Sequence, residues 1–208
     1  MRRFFSFFVG CFMLLSVAGL YAENEIYVTK VTKVPAAEGS GVKEIATIVL
    51  NDCLEVRDIG VVKAEGMKTL KYPVYISKNG KEYPQFEVIT KQAKDEIEKA
   101  VFGGKPSAKT SKVISFKISK FSKFTRPSSL KAFVSVDFNN AVRVECKVME
   151  SKKGPWISWP SVKDEATGKY PKQVLIINKK VKGVVEKSIM DKYTSMGSES
   201  SDSAADEE

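Results

Sequence analysis

The chain has 208 residues, with 34 Lys and Arg against 25 Asp and Glu, three Cys and no His. That length holds one medium domain or two small ones. The absence of His removes the commonest general base and the commonest metal ligand, which excludes His-based triads and most zinc sites. No cofactor, metal or enzymatic activity is expected.

Met1-Arg2-Arg3 is followed by an uncharged apolar run from Phe4 to Leu20, then by Tyr21-Ala22 and the polar Glu23-Asn24-Glu25. Positive, apolar and small-residue segments in that order predict a secretory signal peptide over 1–22, with Ala22 the last residue removed. Its rival is an uncleaved inner-membrane anchor, because about 17 apolar residues reach the lower edge of a bilayer span. The predicted location is exported, periplasmic or extracellular.

The next segment, 23–102, reads as a first small module. Ala46, Ile48 and Leu50 alternate as a half-buried strand. Asn51-Asp52 supplies turn residues that tolerate left-handed backbone, and Leu54 to Val62 returns as the next strand. Thr90 is a good helix N-cap, and Ala93, Ile97, Ala100 and Val101 follow at helical spacing. Residues 103–112 are rich in Gly, Ser, Lys and Pro and read as a flexible linker.

Residues 113–194 repeat the pattern. Ala132, Val134, Val136 and Phe138 alternate, Asn139-Asn140 turns, and Val142 to Met149 returns. Asn178 caps a helix whose apolar positions are Val181, Val184, Val185 and Ile189. From Ser195 onward the chain is Ser, Asp and Glu with almost nothing apolar, so 195–208 reads as a disordered acidic tail. Without residues 1–22 and the last ten, 32 basic residues face 20 acidic ones, a net charge of +12 that attracts polyanions.

The two modules resemble each other in order. Val28 to Val34 matches Ile118 to Phe124 by residue type, Ala46 to Asp52 lies over Val134 to Asn140 at an offset of 88 residues, and Gly80-Lys81 lies over Gly168-Lys169 at the same offset. The Tyr-Pro pairs at 83–84 and 170–171 correspond after a one-residue gap. A constant offset through several motifs is the mark of a duplication. The predicted fold class is α+β: two tandem modules, each an antiparallel meander closed by an amphipathic helix.

These residues resemble the SpoVG (septation protein) family of bacteria. The resemblance runs through Val28-Thr29-Lys30-Val31, the strand-turn-strand Lys43 to Val62, Lys131-Ala132-Phe133 to Asn140, and Asn178 before the last helix. Trp159-Pro160-Ser161-Val162-Lys163 is similar to the family's Met-Pro-Ser-Arg-Lys segment, with Val162 in place of its Arg. The resemblance implies a curved antiparallel sheet with a helix, pairing of two modules through their sheets, and regulators of septation or sporulation that bind DNA or RNA. In one chain, that pairing predicts a monomeric pseudo-dimer.

A dense basic stretch, Lys163, Lys169, Lys172, Lys179, Lys180 and Lys182, lies beside Trp156, Trp159 and Tyr170. Lysine for phosphate and aromatics for stacking suit nucleic acid or another polyanion. The competing reading makes the tryptophans core residues and the lysines a solvated rim. Lys68, Lys71, Lys78, Lys81 and Lys91 are the first module's counterparts. Cys53 and Cys146 do not occupy equivalent positions, and either a disulfide or two free thiols fits the sequence. The expected function is a non-enzymatic exported binding protein that contacts a polyanion or an envelope protein through a basic face. A septation- or sporulation-type regulator binding DNA or RNA is the alternative.

Overall fold

The computed structural model describes residues 25–64 and 66–202; the expected signal peptide at 1–22 lies outside the described residues. The fold is α+β, mostly antiparallel, with twelve strands and two helices among the described residues. Strands β1 (Val28–Pro35), β2 (Glu44–Leu50), β3 (Leu54–Ala64) and β4 (Met67–Lys71) form a meander, followed by a small hairpin of β5 (Val74–Ile76) and β6 (Glu82–Pro84). Then come β7 (Phe86–Val88) and helix α1 (Lys91–Gly103). A second meander contains β8 (Phe116–Lys123), β9 (Leu130–Phe138), β10 (Val142–Ser151) and β11 (Gly154–Ser158), and the chain continues into β12 (Val174–Ile176) and helix α2 (Lys179–Asp202).

The short strands cross over. β12 pairs with β3, joining Val174 to Val56, Leu175 to Glu55 and Ile176 to Leu54. β7 pairs with β10, joining Phe86 to Val144, Glu87 to Arg143 and Val88 to Val142. Each pairing is the other displaced by 88 residues with the partners exchanged. Backbone bonds follow the same rule: Arg57 N–H donates to Gln173 O at 2.8 Å and Glu145 N–H to Gln85 O at 3.1 Å. Ile177 N–H likewise donates to Cys53 O, and Ile89 N–H to Ala141 O, both at 2.8 Å. Strand alternation places the apolar side chains of both sheets inward, and α1 and α2 contribute Ile97, Val101, Val185 and Ile189 to one continuous core.

The two hairpin turns lie at the centre of this exchange. Asn51 and Asp52 have φ of 47° and 51°, and Asn139 and Asn140 both have 49°. Asn and Asp tolerate this left-handed backbone, which two-residue hairpins need. Asn51 and Asn139 are fully buried. The Asn51 Oδ1 accepts from Tyr27 N–H at 2.8 Å, and the Asn139 Oδ1 from Ser115 N–H at 2.6 Å. Their Nδ2 groups donate to the same two carbonyls: Asn51 to Glu25 O (3.1 Å) and Val113 O (2.8 Å), Asn139 to Glu25 O (3.0 Å) and Val113 O (3.2 Å).

Thr90 caps α1, its Oγ1 accepting from Ala93 N–H at 3.2 Å, and Gly104 ends it in the left-handed region at φ 64°. Asn178 caps α2, its Oδ1 accepting from Lys180 and Val181 N–H at 3.1 and 3.2 Å. Val184, expected in the core, is exposed, while Val185 and Ile189 face inward. α2 also continues past Ser195 to Asp202, where a disordered tail was expected. Its path is held by the Lys123 ammonium, which donates to Met196 O.

The expected flexible linker is tied down. Ser107 N–H donates to Val28 O at 2.8 Å, its Oγ accepts from Val28 N–H at 3.0 Å, and it donates to Glu96 at 2.6 Å.

One difference between the two meanders is a bulge in β3. Ala46 pairs with Ile59 and Ile48 with Val56, so Thr47 faces both Arg57 and Asp58, and Asp58 has φ 58°. Opposite Val134, Ser135 and Val136, β10 runs without interruption. Beyond the bulge the spacing is therefore 87: Tyr72 and Trp159 occupy matching places before Pro73 and Pro160, whose carbonyls accept from Gln85 and Gln173 N–H at 2.9 and 2.8 Å. The two Tyr-Pro pairs are one residue out of step, because Pro84 pairs with Val74 whereas Lys172 bridges Ser161.

Replacing Asn139 by Gly keeps the turn conformation and removes only the side-chain bonds. A loss of about 2 kcal/mol is expected, since a buried backbone N–H and two carbonyls lose partners. Asn139→Ala should cost more, by about 1 kcal/mol for the left-handed backbone. Urea unfolding of both variants of residues 23–208 checks the order; equal losses would remove the left-handed backbone from the account, and a negligible loss for Asn139→Gly would remove the side-chain bonds.

Candidate polyanion-binding face

The sequence-predicted basic residues are spread over several separate segments. Lys163 and Lys169 flank a turn in which Asp164 accepts from Ala166 N–H and Thr167 Oγ1 at 3.0 and 2.6 Å, and Lys172 follows it. Lys163 is paired with Glu165 at 2.8 Å. Lys179 and Lys180 lie in the first turn of α2 and are exposed, and Lys182 approaches Glu186 at 3.8 Å. Lys78 and Lys81 belong to the β5–β6 turn, closed by Ser77 N–H on Lys81 O at 2.9 Å. Lys91 pairs with Asp95, and the Lys68 ammonium stands 5.9 Å from the Phe102 ring centroid.

Trp159 cannot serve as a stacking platform. It is 3% exposed within the core, and its indole N–H donates to Glu186 Oε1 at 2.8 Å. Trp156 and Tyr170 remain open to solvent at 50% and 65%. In the first half, Tyr72 and Glu98 stand where Trp159 and Glu186 stand in the second. The Tyr72 hydroxyl is buried with no hydrogen-bond partner among the described residues, and burial, with the Glu98 charge behind it, pushes its pKa up.

The sequence reading missed a run of aromatics and cations on the outward face of the second sheet. Lys147 on β10 points outward between buried Cys146 and Val148. Its ammonium sits 4.6 Å from the Tyr75 ring centroid. Tyr75 pairs across its hairpin with Tyr83, centroids 6.3 Å apart, and Lys81 lies 5.1 Å from the Tyr83 ring. On its other side Lys147 is the cross-strand partner of Phe133, which meets Phe124 edge-on at 6.3 Å. Tyr75, Tyr83 and Phe133 are all about half-exposed. Burial pulls the Lys147 pKa below its ordinary value, so an approaching anion meets a cation already stripped of much of its water. The alternation along β9 and β10 marks Phe133 and Lys147 as outward; Tyr75 comes from a separate sheet, and nothing local places it over them.

The same face carries a row of alternating charge. Glu87, Arg143, Asp137 and Lys117 are cross-strand neighbours in succession over β7, β10, β9 and β8. Arg143 holds Asp137 through Nε at 2.7 Å and Nη2 at 3.1 Å, and Ser119 Oγ donates to the same carboxylate at 2.8 Å. Burial alone would raise the Asp137 pKa, but the bonds from Arg143 and Ser119 and the charges of Arg143 and Lys117 outweigh it and hold it below its ordinary value. Glu145 lies in the next row, accepting from Ser135 Oγ at 2.7 Å, and there burial prevails and its pKa is raised.

Cys53 and Cys146 are both buried, free thiols. Burial pushes the Cys53 pKa up to about 11 and the Cys146 pKa further, so both stay protonated and unreactive at neutral pH. Among the described residues, no group of three or more Cys, Asp and Glu is placed to hold a metal ion, and no helix is long and apolar enough to cross a membrane.

Residues 112–195 match the model of the SpoVG family. The match spans the second meander, β12 and most of α2. Within the matched residues, β12 leaves their own sheet for β3, and β7, from outside the match, pairs with β10. No curated protein and no solved structure matches the chain.

The two carboxylates on this face should give opposite pH responses. Asp137, with its folded pKa lowered, stabilises fully above about pH 4 and loses that contribution as pH falls through the folded value. Glu145, with its pKa raised, is a cost at neutral pH that disappears as it protonates. Asp137→Asn is expected to lose about 2 kcal/mol at pH 7 and much less at pH 3, whereas Glu145→Gln should lose little or gain at pH 7. Urea unfolding at the two pH values measures both; a loss for Asp137→Asn that is the same at pH 3 would contradict the assignment.

Proposed function

We propose that this chain is a non-enzymatic binding protein, an internal dimer of two SpoVG-like modules that takes a polyanion on the outward face of its second sheet. The observation that carries the binding reading is Lys147, a partly desolvated cation seated over Tyr75 in the run Lys81, Tyr83, Tyr75, Lys147, Phe133 and Phe124. Aromatics interleaved with lysines provide both stacking and phosphate or sulfate contact. Support for the internal dimer is the reciprocal pairing of β7 and β12 at an offset of 88 residues, together with the Asn51 and Asn139 amides that share two carbonyls.

Two ligand classes suit this face, and each has its own support. The order of charge and apolarity over residues 1–22 supports an exported protein acting on an envelope polyanion. The SpoVG match supports a septation- or sporulation-type regulator acting on DNA or RNA.

Binding of residues 23–208 to a 20-nucleotide poly-dT strand and to dextran sulfate, from 50 to 200 mM salt, separates them. The phosphate or sulfate contribution should fall steeply over that range. Lys147→Ala should weaken both ligands. Tyr75→Ala should weaken poly-dT by about tenfold at 200 mM salt if bases stack there, and dextran sulfate hardly at all. If neither variant changes either affinity, the face is not the site.

Processing is a separate outcome. N-terminal sequencing of natively produced protein is expected to begin at or near Glu23. Intact Met1 on protein in a soluble cytoplasmic fraction would overturn export and leave the regulator reading.

A further inference from the structure

The aromatic run ends at Phe124, and there the structure leaves a groove of about 470 Å³ between the second sheet and α2. Its lining is Lys123, Phe124, Thr125, Lys131, Tyr193 and Thr194. Lys123 is bound to the Met196 carbonyl, and Lys131 to Glu150 at 2.8 Å, so one groove cation already has a carboxylate on it. Arg126 lies on the connection just beyond Thr125. The last turns of α2 therefore pass beside a cationic, aromatic-walled groove that continues the candidate binding face.

The chain beyond α2 is acidic. Residues 203–208 read Ser-Ala-Ala-Asp-Glu-Glu, with no basic residue. From Thr194 to Asp202 the helix advances about 12 Å at about 1.5 Å per residue. Asp206 follows four residues after Asp202, an extended reach of about 13 Å, and Glu207 and Glu208 extend it further. The carboxylates can thus return to Thr194, with sign opposite to that of the groove.

We propose that the acidic segment 203–208 docks in the Lys123–Lys131 groove and competes in cis with the polyanion. The inference rests on the proposed binding face for its consequence, but not for its geometry. Glu150, the ion-pair partner of Lys131, is the carboxylate that the segment joins or displaces there. A tethered competitor acts at high effective concentration, so a few weak exposed pairs are enough to lower the apparent affinity of an outside ligand.

The test compares residues 23–208, which contain every described element, with the variant Asp206→Asn, Glu207→Gln, Glu208→Gln. In amide NMR spectra at 50 mM salt, the variant should shift Phe124, Thr125, Lys131 and Tyr193. Raising salt to 300 mM should bring the wild-type spectrum toward that of the variant. Poly-dT and dextran sulfate should bind the variant about fivefold more tightly at 50 mM salt. In a Lys123→Ala, Lys131→Ala background that gain should vanish, which a general effect of net charge would not produce. Unchanged groove amides, or a gain that survives in the double-alanine background, would overturn the docking. Failure of both ligands to bind any of these proteins would instead sink the proposed binding function, and the NMR comparison would still decide where the acidic segment lies.

Discussion

Two buried asparagines hold the molecule together at its centre. A side-chain amide has one acceptor and two donors, and Asn51 and Asn139 each use all of them on backbone groups. Together they join four stretches of chain: both hairpin turns, the segment entering β1 and the segment entering β8. Residues of shape similar to Asn fail on one count or another. Asp lacks the donors for the Glu25 and Val113 carbonyls, and Leu takes the acceptor from a buried backbone N–H and one of two donors from each carbonyl. The left-handed turn, the ends of both sheets and the approach of the second half to the first thus depend on one side-chain type at two positions.

The strand exchange follows from that approach. Three-residue strands such as β7 and β12 are too short to hold a sheet edge alone, and each is fixed by its neighbour in the other half and by the helix that follows it. Consequently neither half is a closed unit. The stretch that matches the SpoVG model, residues 112–195, contributes β12 to a sheet outside itself and receives β7 in return. Ser107, bonded to Val28 and Glu96, keeps the connecting chain along the first half instead of leaving it as a loose tether.

Much of the local structure was legible because local chemistry dictates it. Alternation along Ala46 to Leu50 and Ala132 to Phe138, left-handed-tolerant Asn at both turns, and Thr90 and Asn178 ahead of helical periodicity each carry their signal within a few residues. What the sequence did not reveal depends on partners distant in the chain. Nothing in the sequence around Phe86 or Val174 says that each joins the other half's sheet. The extra residue at Asp58 is invisible until Thr47 is seen opposite two residues. Trp159 looked like a ligand-stacking residue because its lysine-rich surroundings in sequence are exposed, yet Glu186 on α2 secures its indole inside. The run through Tyr75, Lys147 and Phe133 draws on two sheets that only the folded chain brings together.

Beyond that one-residue bulge the two sheets carry different residues at matching places. In the first sheet the pair Ile45 and Gly60 occupies the place that Phe133 and Lys147 hold in the second. A Cβ on Gly60 would lie 3.3 Å from Val42 Cγ1, so a long cationic side chain there would have to displace the Val42 side chain. A symmetric pair of identical modules carries every surface feature twice and can bridge two strands of a polymer. This chain keeps the symmetric scaffold but has its cation–aromatic run on one side only. On the proposed function, one such run per chain would engage a polyanion at a single face and coat it without cross-linking it.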